Sequence, residues 1–255
     1  MRPLARWTIG PVSKQGYQIL RKSVKLFQKI YPEFDTIVCC NHINDISFIK
    51  NINVEIYEQN NNELEYPLLE PETYYDSESD STHFYSSSNY GMAASGWKLS
   101  PPRLRLNSHE LWLDNDIIIR ERIESIDNWL KNDNLCIVSI GRGRNYGIYH
   151  FLIPDAIKMC AGFFGLPPYF DFNKKILDYT VLLQNNPLGS YNEQGIVAAI
   201  LINHFHKNCT ITDEIKIYEP PETLNETIPK GFHFVCANKN EIHKAYNSYL
   251  QLKFI

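Results

Sequence analysis

The strongest constraint in this chain is an alternation. Short apolar runs of strand length are separated by stretches whose apolar residues recur at helical spacing. Thr36-Ile-Val-Cys-Cys is apolar throughout, as expected of a strand covered on both faces. Arg6-Trp-Thr-Ile-Gly, Val54-Glu-Ile-Tyr, Glu110-Leu-Trp-Leu, Ile117-Ile-Ile, Cys136-Ile-Val-Ser-Ile and Phe232-His-Phe-Val read as further strands. Between Gln15 and Tyr31, the residues Leu20, Val24, Phe27 and Tyr31 mark one helical face, and Pro32 stops the helix. Helices are also expected up to Trp129-Leu130 and from Gln194 to Phe205. Strands and helices alternating in this way predict an α/β fold with a mostly parallel central sheet flanked by helices.

The 255 residues, 44% hydrophobic and 21% charged, suit one domain spanning 1–255. A net charge of −4 counts against a general nucleic-acid binder, which carries a basic excess. No apolar run approaches the length of a membrane span, and Met1-Arg-Pro-Leu-Ala-Arg-Trp lacks the apolar core of a secretory signal. Six cysteines without a C-x-x-C pair fit neither a disulfide scaffold nor a zinc site. They point to a reducing, cytoplasmic setting, with Cys39-Cys40 as small core residues. The acids are unevenly placed. From Asn51 to Trp97 there are nine Asp or Glu and no Lys or Arg, and without that window the net charge becomes +5. The window is rich in Asn and Ser and reads as an insertion, loop-like around 58–90, either solvated or a flap beside a cleft.

Chemistry concentrates in Leu111-Trp-Leu-Asp-Asn-Asp-Ile-Ile-Ile, where two carboxylates one residue apart interrupt an apolar strand. In an extended strand Asp114 and Asp116 would share a face and repel each other. A divalent cation removes that cost, and hard oxygen ligands suit Mg²⁺ or Mn²⁺. A polar turn or cap is the competing reading. The pair follows a buried strand, the end at which open α/β sheets bind ligands. Lys98 and Arg103 lie 18 and 13 positions before Asp116 and offer cations for a diphosphate, or else are surface charges.

Four stretches in order then resemble the nucleotide-sugar-dependent glycosyltransferases of the GT-A fold, the group of glycogenin and bacterial galactosyltransferases. Phe34-Asp-Thr-Ile-Val-Cys-Cys-Asn, after a short strand and helix, looks like their nucleotide-binding opening. Lys98 through Asp114-Asn115-Asp116 is similar to their basic residue and D-x-D. Cys160-Ala-Gly162-Phe looks like their small-small-Gly strand, and Asn192-Glu193-Gln194-Gly like their carboxylate–Gln element. Lys230-Gly-Phe-His233-Phe with Asn238-Lys239 looks like their late His and Lys element. The resemblance implies a hexosyltransferase-like enzyme in which Asp114, Asp116 and His233 hold Mn²⁺ or Mg²⁺. Lys98, Asp114, Asn115, Gly162 and Lys239 would bind the donor, with a uridine-diphosphate sugar first among donors, and Glu193 and Gln194 would lie at the transferring sugar. The acceptor is not implied. In this chain Glu193 stands where Asp is commoner, and Cys236-Ala237 replaces the usual Gly of the late element.

Other segments admit two readings. Gly141-Arg-Gly-Arg-Asn-Tyr-Gly147 is a turn or a basic loop facing donor or acceptor, without the spacing of a dinucleotide fingerprint. Tyr74-Tyr75 and Tyr169-Phe-Asp-Phe172 either stack on sugars or bury area. His233 is a ligand or a core histidine, and Asp171 and Asp178 are reserve carboxylates or helix-surface residues. His204 and His206 are too close in sequence to share a helical face as a zinc pair. The alternatives to a transferase are a catalytically silent GT-A-like module that binds a nucleotide sugar, and a nicotinamide oxidoreductase. The missing glycine fingerprint speaks against the second.

Overall fold

Along the first strand, apolar and polar side chains alternate and so point into different layers. The computed structural model describes residues 1–9, 14–41, 52–59, 73–76, 81–84, 99, 103–144, 146–180, 192–218 and 229–234. Strand β1 (Leu4–Ile9) packs Ala5, Trp7 and Ile9 toward helix α1 (Lys14–Ile30), where Leu20, Val24 and Phe27 meet them. The Trp7 ring meets Phe27 edge-on at 5.5 Å. The helix expected from Gln15 to Tyr31 is therefore present, shifted by one residue.

Strands β2 (Asp35–Asn41) and β3 (Glu55–Gln59) follow, with Cys39 and Cys40 both buried, as the apolar run predicts. In the acidic window, β4 (Thr73–Asp76) and β5 (Ser81–Phe84) form an antiparallel pair where the sequence suggests only loop. Then come β6 (Glu110–Leu113), β7 (Ile117–Ile119), α2 (Glu124–Trp129), β8 (Cys136–Ile140) and β9 (Met159–Leu166). Helices α3 (Phe172–Thr180) and α4 (Asn192–Phe205) precede three short strands, β10 (Cys209–Thr212), β11 (Ile215–Tyr218) and β12 (Gly231–Phe234).

The main sheet has the order β10-β8-β9-β6-β1-β2-β3. All its pairs are parallel except those of β9, which runs antiparallel to both β6 and β8. Period-two alternation sends Leu111, Leu113, Ile137 and Phe163 to the layer of α1 and α2, and Trp112, Val138 and Phe164 to the layer of α3 and α4. The fold is thus α/β with a mostly parallel sheet between helices, as the alternation predicts.

A second sheet, β11-β12-β7, lies where the chain leaves the main one. β6 belongs to the large sheet and β7 to the small one, so the turn Asp114–Asp116 crosses between them. β12 pairs antiparallel with β7, setting His233 opposite Ile117. Glu214 fixes this small sheet. Its carboxylate accepts from Lys230 Nζ at 2.6 Å, from the Ser125 hydroxyl at 2.7 Å and from the amides of Glu124 and Ser125 at 3.2 and 2.9 Å. It caps α2 and holds the residue preceding β12 in the same contact.

Candidate metal and donor site

β6 ends at Leu113, and the chain turns at once. The Asp114 amide donates to Gly162 O at 2.8 Å, and the Ile117 amide returns to Asp114 O at 3.2 Å. Asp114 and Asp116 therefore approach through a tight turn, not along an extended strand as the sequence spacing suggests. The Phe234 amide donates to Asp116 O at 3.3 Å, which draws β12 against the same turn. His233 comes in with it, 3% exposed.

The three side chains converge. His233 Nε2 lies 3.6 Å from Asp114 Oδ2 and 3.4 Å from Asp116 Oδ1. One potential ligand atom from each falls within 4.8 Å of the other two. Asp116 Oδ1 is shut off from solvent and accepts no aligned hydrogen bond among the described residues. A buried carboxylate oxygen in that state is costly unless a cation completes it. Burial opposes charging of the His233 imidazole, but the Cys160 sulfur and the Asp116 and Asp114 carboxylates outweigh burial and hold its pKa well above the ordinary value. Two carboxylates and an imidazole match the donor set of a hard divalent ion, which would displace the imidazole proton.

Gly162 makes this approach possible. A Cβ there would stand 2.2 Å from His233 Cε1 and 2.8 Å from both His233 Nε2 and Asp114 Oδ2. The β8–β9 ladder is irregular at this point: Val138 pairs with Phe164, while the next residue, Ser139, pairs with Cys160. The residues between, Gly162 among them, leave the β8 ladder, and such irregularities re-aim a strand beside a site.

A cleft opens next to the cluster, lined by Asp114, Gly162, Thr8, Trp112, Leu99 and Glu193. Glu193 is buried and Gln194 half-buried, both in the first turn of α4. Close packing seats that helix end, since a Cβ on Gly195 would lie 2.1 Å from Tyr146 O. Asn115 is half-buried in the turn between the aspartates. Lys98 and Lys239 lie outside the described residues; Leu99, the neighbour of Lys98, lines the cleft.

Arg103 is neither a surface charge nor a phosphate ligand. Its guanidinium donates to Phe170 O at 2.7 Å and to Ser108 O, and lies 3.9 Å from Glu110 Oε2, with the side chain 2% exposed. Burial lowers its pKa to about 10. Around Glu110 the compensation is thorough: Arg6 Nη1 stands 3.3 Å from Oε1, and the amides of Leu104 and Arg105 each donate to Oε2 at 3.0 Å.

Among the segments with two readings, Arg144 pairs with Asp155 at 2.6 Å and donates to Ile153 O, and Arg142 donates to Ile217 O. These contacts fit a turn. Phe170 and Phe172 are core residues, and Tyr169 is exposed with φ 63°. Asp171 caps α3 through the Lys174 amide, and Asp178 pairs with Lys175. Tyr74-Tyr75 lies in β4. Sequence reasoning placed Cys160 in the small-small-Gly motif but gave it no role of its own; its sulfur is 3.3 Å from His233 Nδ1. Nothing in the motif pointed to a contact with a histidine so distant in sequence.

No protein-family model matches the chain, and no curated protein does. Solved structures do. The galactosyltransferase LgtC, in complex with donor and acceptor sugar analogs, superposes with a TM-score of 0.59 at 12% identity, covering 95% of each chain. An active-site mutant of LgtC gives 0.59 at 11% identity over 96% of this chain and 95% of that one. Mouse xyloside xylosyltransferase 1, in its apo form, gives 0.55 at 9% identity over 91% and 97%. With the sheet order and the crossing turn described above, these likenesses establish that the chain has the GT-A glycosyltransferase fold.

Proposed function

We propose that the protein is a metal-dependent glycosyltransferase that takes a nucleotide-diphosphate sugar, first a uridine-diphosphate hexose, as donor. The observation that carries this reading is the convergence of Asp114, Asp116 and His233 on one point, against a glycine whose side chain would fill it. That LgtC was solved with donor and acceptor sugar analogs supports a sugar donor for a chain that covers 95% of it.

Asp114, Asp116 and His233 would hold Mn²⁺ or Mg²⁺. The ion would neutralise charge gathering on the leaving diphosphate. Transfer breaks the bond between the anomeric carbon and the diphosphate oxygen, whose electron pair leaves with the nucleotide. A new bond forms to an acceptor oxygen, which gives up its proton. Gly162 lets the donor approach the strand closely, and Asn115 presents the turn backbone beside it. Lys98 and Lys239, placed here by motif resemblance, would add positive charge on the phosphates. Glu193 lines the same cleft as Asp114; an inverting transfer would use its carboxylate as base, whereas a retaining one needs no base there, and Gln194 would lie beside the sugar in either.

The test is release of sugar from a panel of nucleotide-diphosphate sugars, with and without Mn²⁺. Metal-dependent release is expected, and Asp116→Asn should abolish it while circular dichroism stays unchanged. Equal turnover by Asp116→Asn at saturating donor and Mn²⁺ would overturn the assignment. Donor binding with no sugar release by the unaltered protein would mark a silent binding module instead.

A further inference from the structure

The imidazole of His233 has two nitrogens, and the proposed metal site uses only Nε2, the one facing Asp114 and Asp116. The other, Nδ1, meets the Cys160 sulfur at 3.3 Å. We propose that Cys160 is the positioning residue for the metal ligand: its sulfur accepts a hydrogen bond from Nδ1–H and so presents the Nε2 lone pair to the ion. This rests on the metal-site reading above and adds a residue to it.

The argument is one of tautomers and placement. A neutral imidazole carries its proton on one nitrogen and its lone pair on the other. A ligating His is fixed in the productive form when an acceptor binds the remaining N–H, and losing such an acceptor weakens metal binding. In most sites a carboxylate or a carbonyl serves. Here the neighbour at Nδ1 is sulfur, and the contact is buried: Cys160 is 6% exposed and His233 3%.

The strand geometry holds the sulfur there. Ser139 Oγ donates to Cys160 O at 3.2 Å, where the β8–β9 register shifts, so the backbone of Cys160 is tied to β8. Two residues on, Gly162 O accepts the Asp114 amide. One stretch of β9 thus anchors the aspartate turn through its backbone and orients the imidazole through its side chain. A thiol is also compact enough for this position, since the ring edge passes directly over Gly162.

The experiment measures Mn²⁺ affinity by electron paramagnetic resonance on the full chain, with Cys160→Ala, Cys160→Ser, Asp116→Asn and the unaltered protein in parallel. Removing the acceptor with Cys160→Ala should weaken binding about 10- to 100-fold. Cys160→Ser, whose hydroxyl can accept from Nδ1, should recover most of that loss, which a role in packing alone would not predict. Affinity in Cys160→Ala equal to the unaltered protein, with binding lost in Asp116→Asn, would overturn this proposal and leave the metal site standing. No Mn²⁺ binding by the unaltered protein would overturn both. Should Cys160→Ala fail to fold, imidazole resonances of the Mg²⁺-loaded unaltered protein and Cys160→Ser decide the matter. An Nδ1 proton of His233 that is slow to exchange with water and whose shift moves in Cys160→Ser supports the proposal; an Nδ1 proton that exchanges freely, or whose shift is the same in Cys160→Ser, overturns it.

Discussion

Strand β6 has an acid at its start and another just past its end, and the two are treated in opposite ways. At its start, Glu110 is fully buried and answered by Arg6, Arg103 and two backbone amides. Arg6 is also stacked 3.7 Å over the Trp112 ring and donates to Thr8 Oγ1 at 3.0 Å. Just past its end, Asp114 meets Asp116 and the His233 imidazole at a cleft, and a buried oxygen of Asp116 has no aligned donor among the described residues. The protein completes the charge balance of Glu110 from its own residues. Around the aspartates the described residues supply the His233 imidazole. The first arrangement holds the sheet together, and the second suits a ligand that brings charge with it, at the end of the sheet where such ligands bind.

The sharpest way to break the comparison is to remove the acid at the compensated end. Glu110→Ala leaves Arg6 and Arg103 buried without their partner and should cost about 3–5 kcal/mol, read by urea unfolding. The matching change at the other end should behave differently. Asp116→Asn removes a buried oxygen without an aligned donor among the described residues and keeps Asp114 beside His233, so it should cost metal-free stability less than Glu110→Ala, even though it removes a metal ligand.

Gly162→Ala tests whether the gap at the cluster matters. The added methyl would collide with His233 Cε1, so Mn²⁺ affinity should fall at least about tenfold, in the range of altered second-layer residues, as followed by calorimetric titration.

A smaller effect concerns the sheet that carries His233. Partial burial raises the pKa of Glu214, but Lys230 and the Ser125 and Glu124 donors outweigh it and bring the value down to about 2. A depressed carboxylate stabilises the native state above its unfolded pKa and loses that contribution as pH falls toward the folded value. Unfolding curves should therefore show stability declining from about pH 4.5 to about 2, and Glu214→Gln should flatten part of that decline. The smallest effect belongs to Lys175 and Asp178, an exposed pair three residues apart on α3. Lys175→Ala should change stability by no more than about 0.5 kcal/mol.

Much of the fold was legible because its signals are local. The spacing of Leu20, Val24, Phe27 and Tyr31 names the buried face of α1, and the unbroken apolar run Thr36 to Cys40 names a central strand. The aspartate pair was legible as an interruption of such a run. What escaped depends on partners far away in sequence. Arg103 was misplaced because one of the groups that hold it, Phe170 O, lies 67 residues away and meets it only in the folded chain. Cys160 and His233 are 73 residues apart. β10 and β11, Cys-Thr-Ile-Thr and Ile-Lys-Ile-Tyr, are short and only partly buried, so neither announces itself by composition. The role of Gly162 came from motif resemblance, since a glycine in a strand has several meanings and only the neighbouring imidazole selects one.

Because the aspartates close the large sheet and the histidine rides on the small one, an ion held by all three would rivet the two sheets together. Loading the ion would then do more than prepare the cleft. It would lock the late β11–β12 layer onto the earlier part of the chain, and loss of the ion would loosen the same seam.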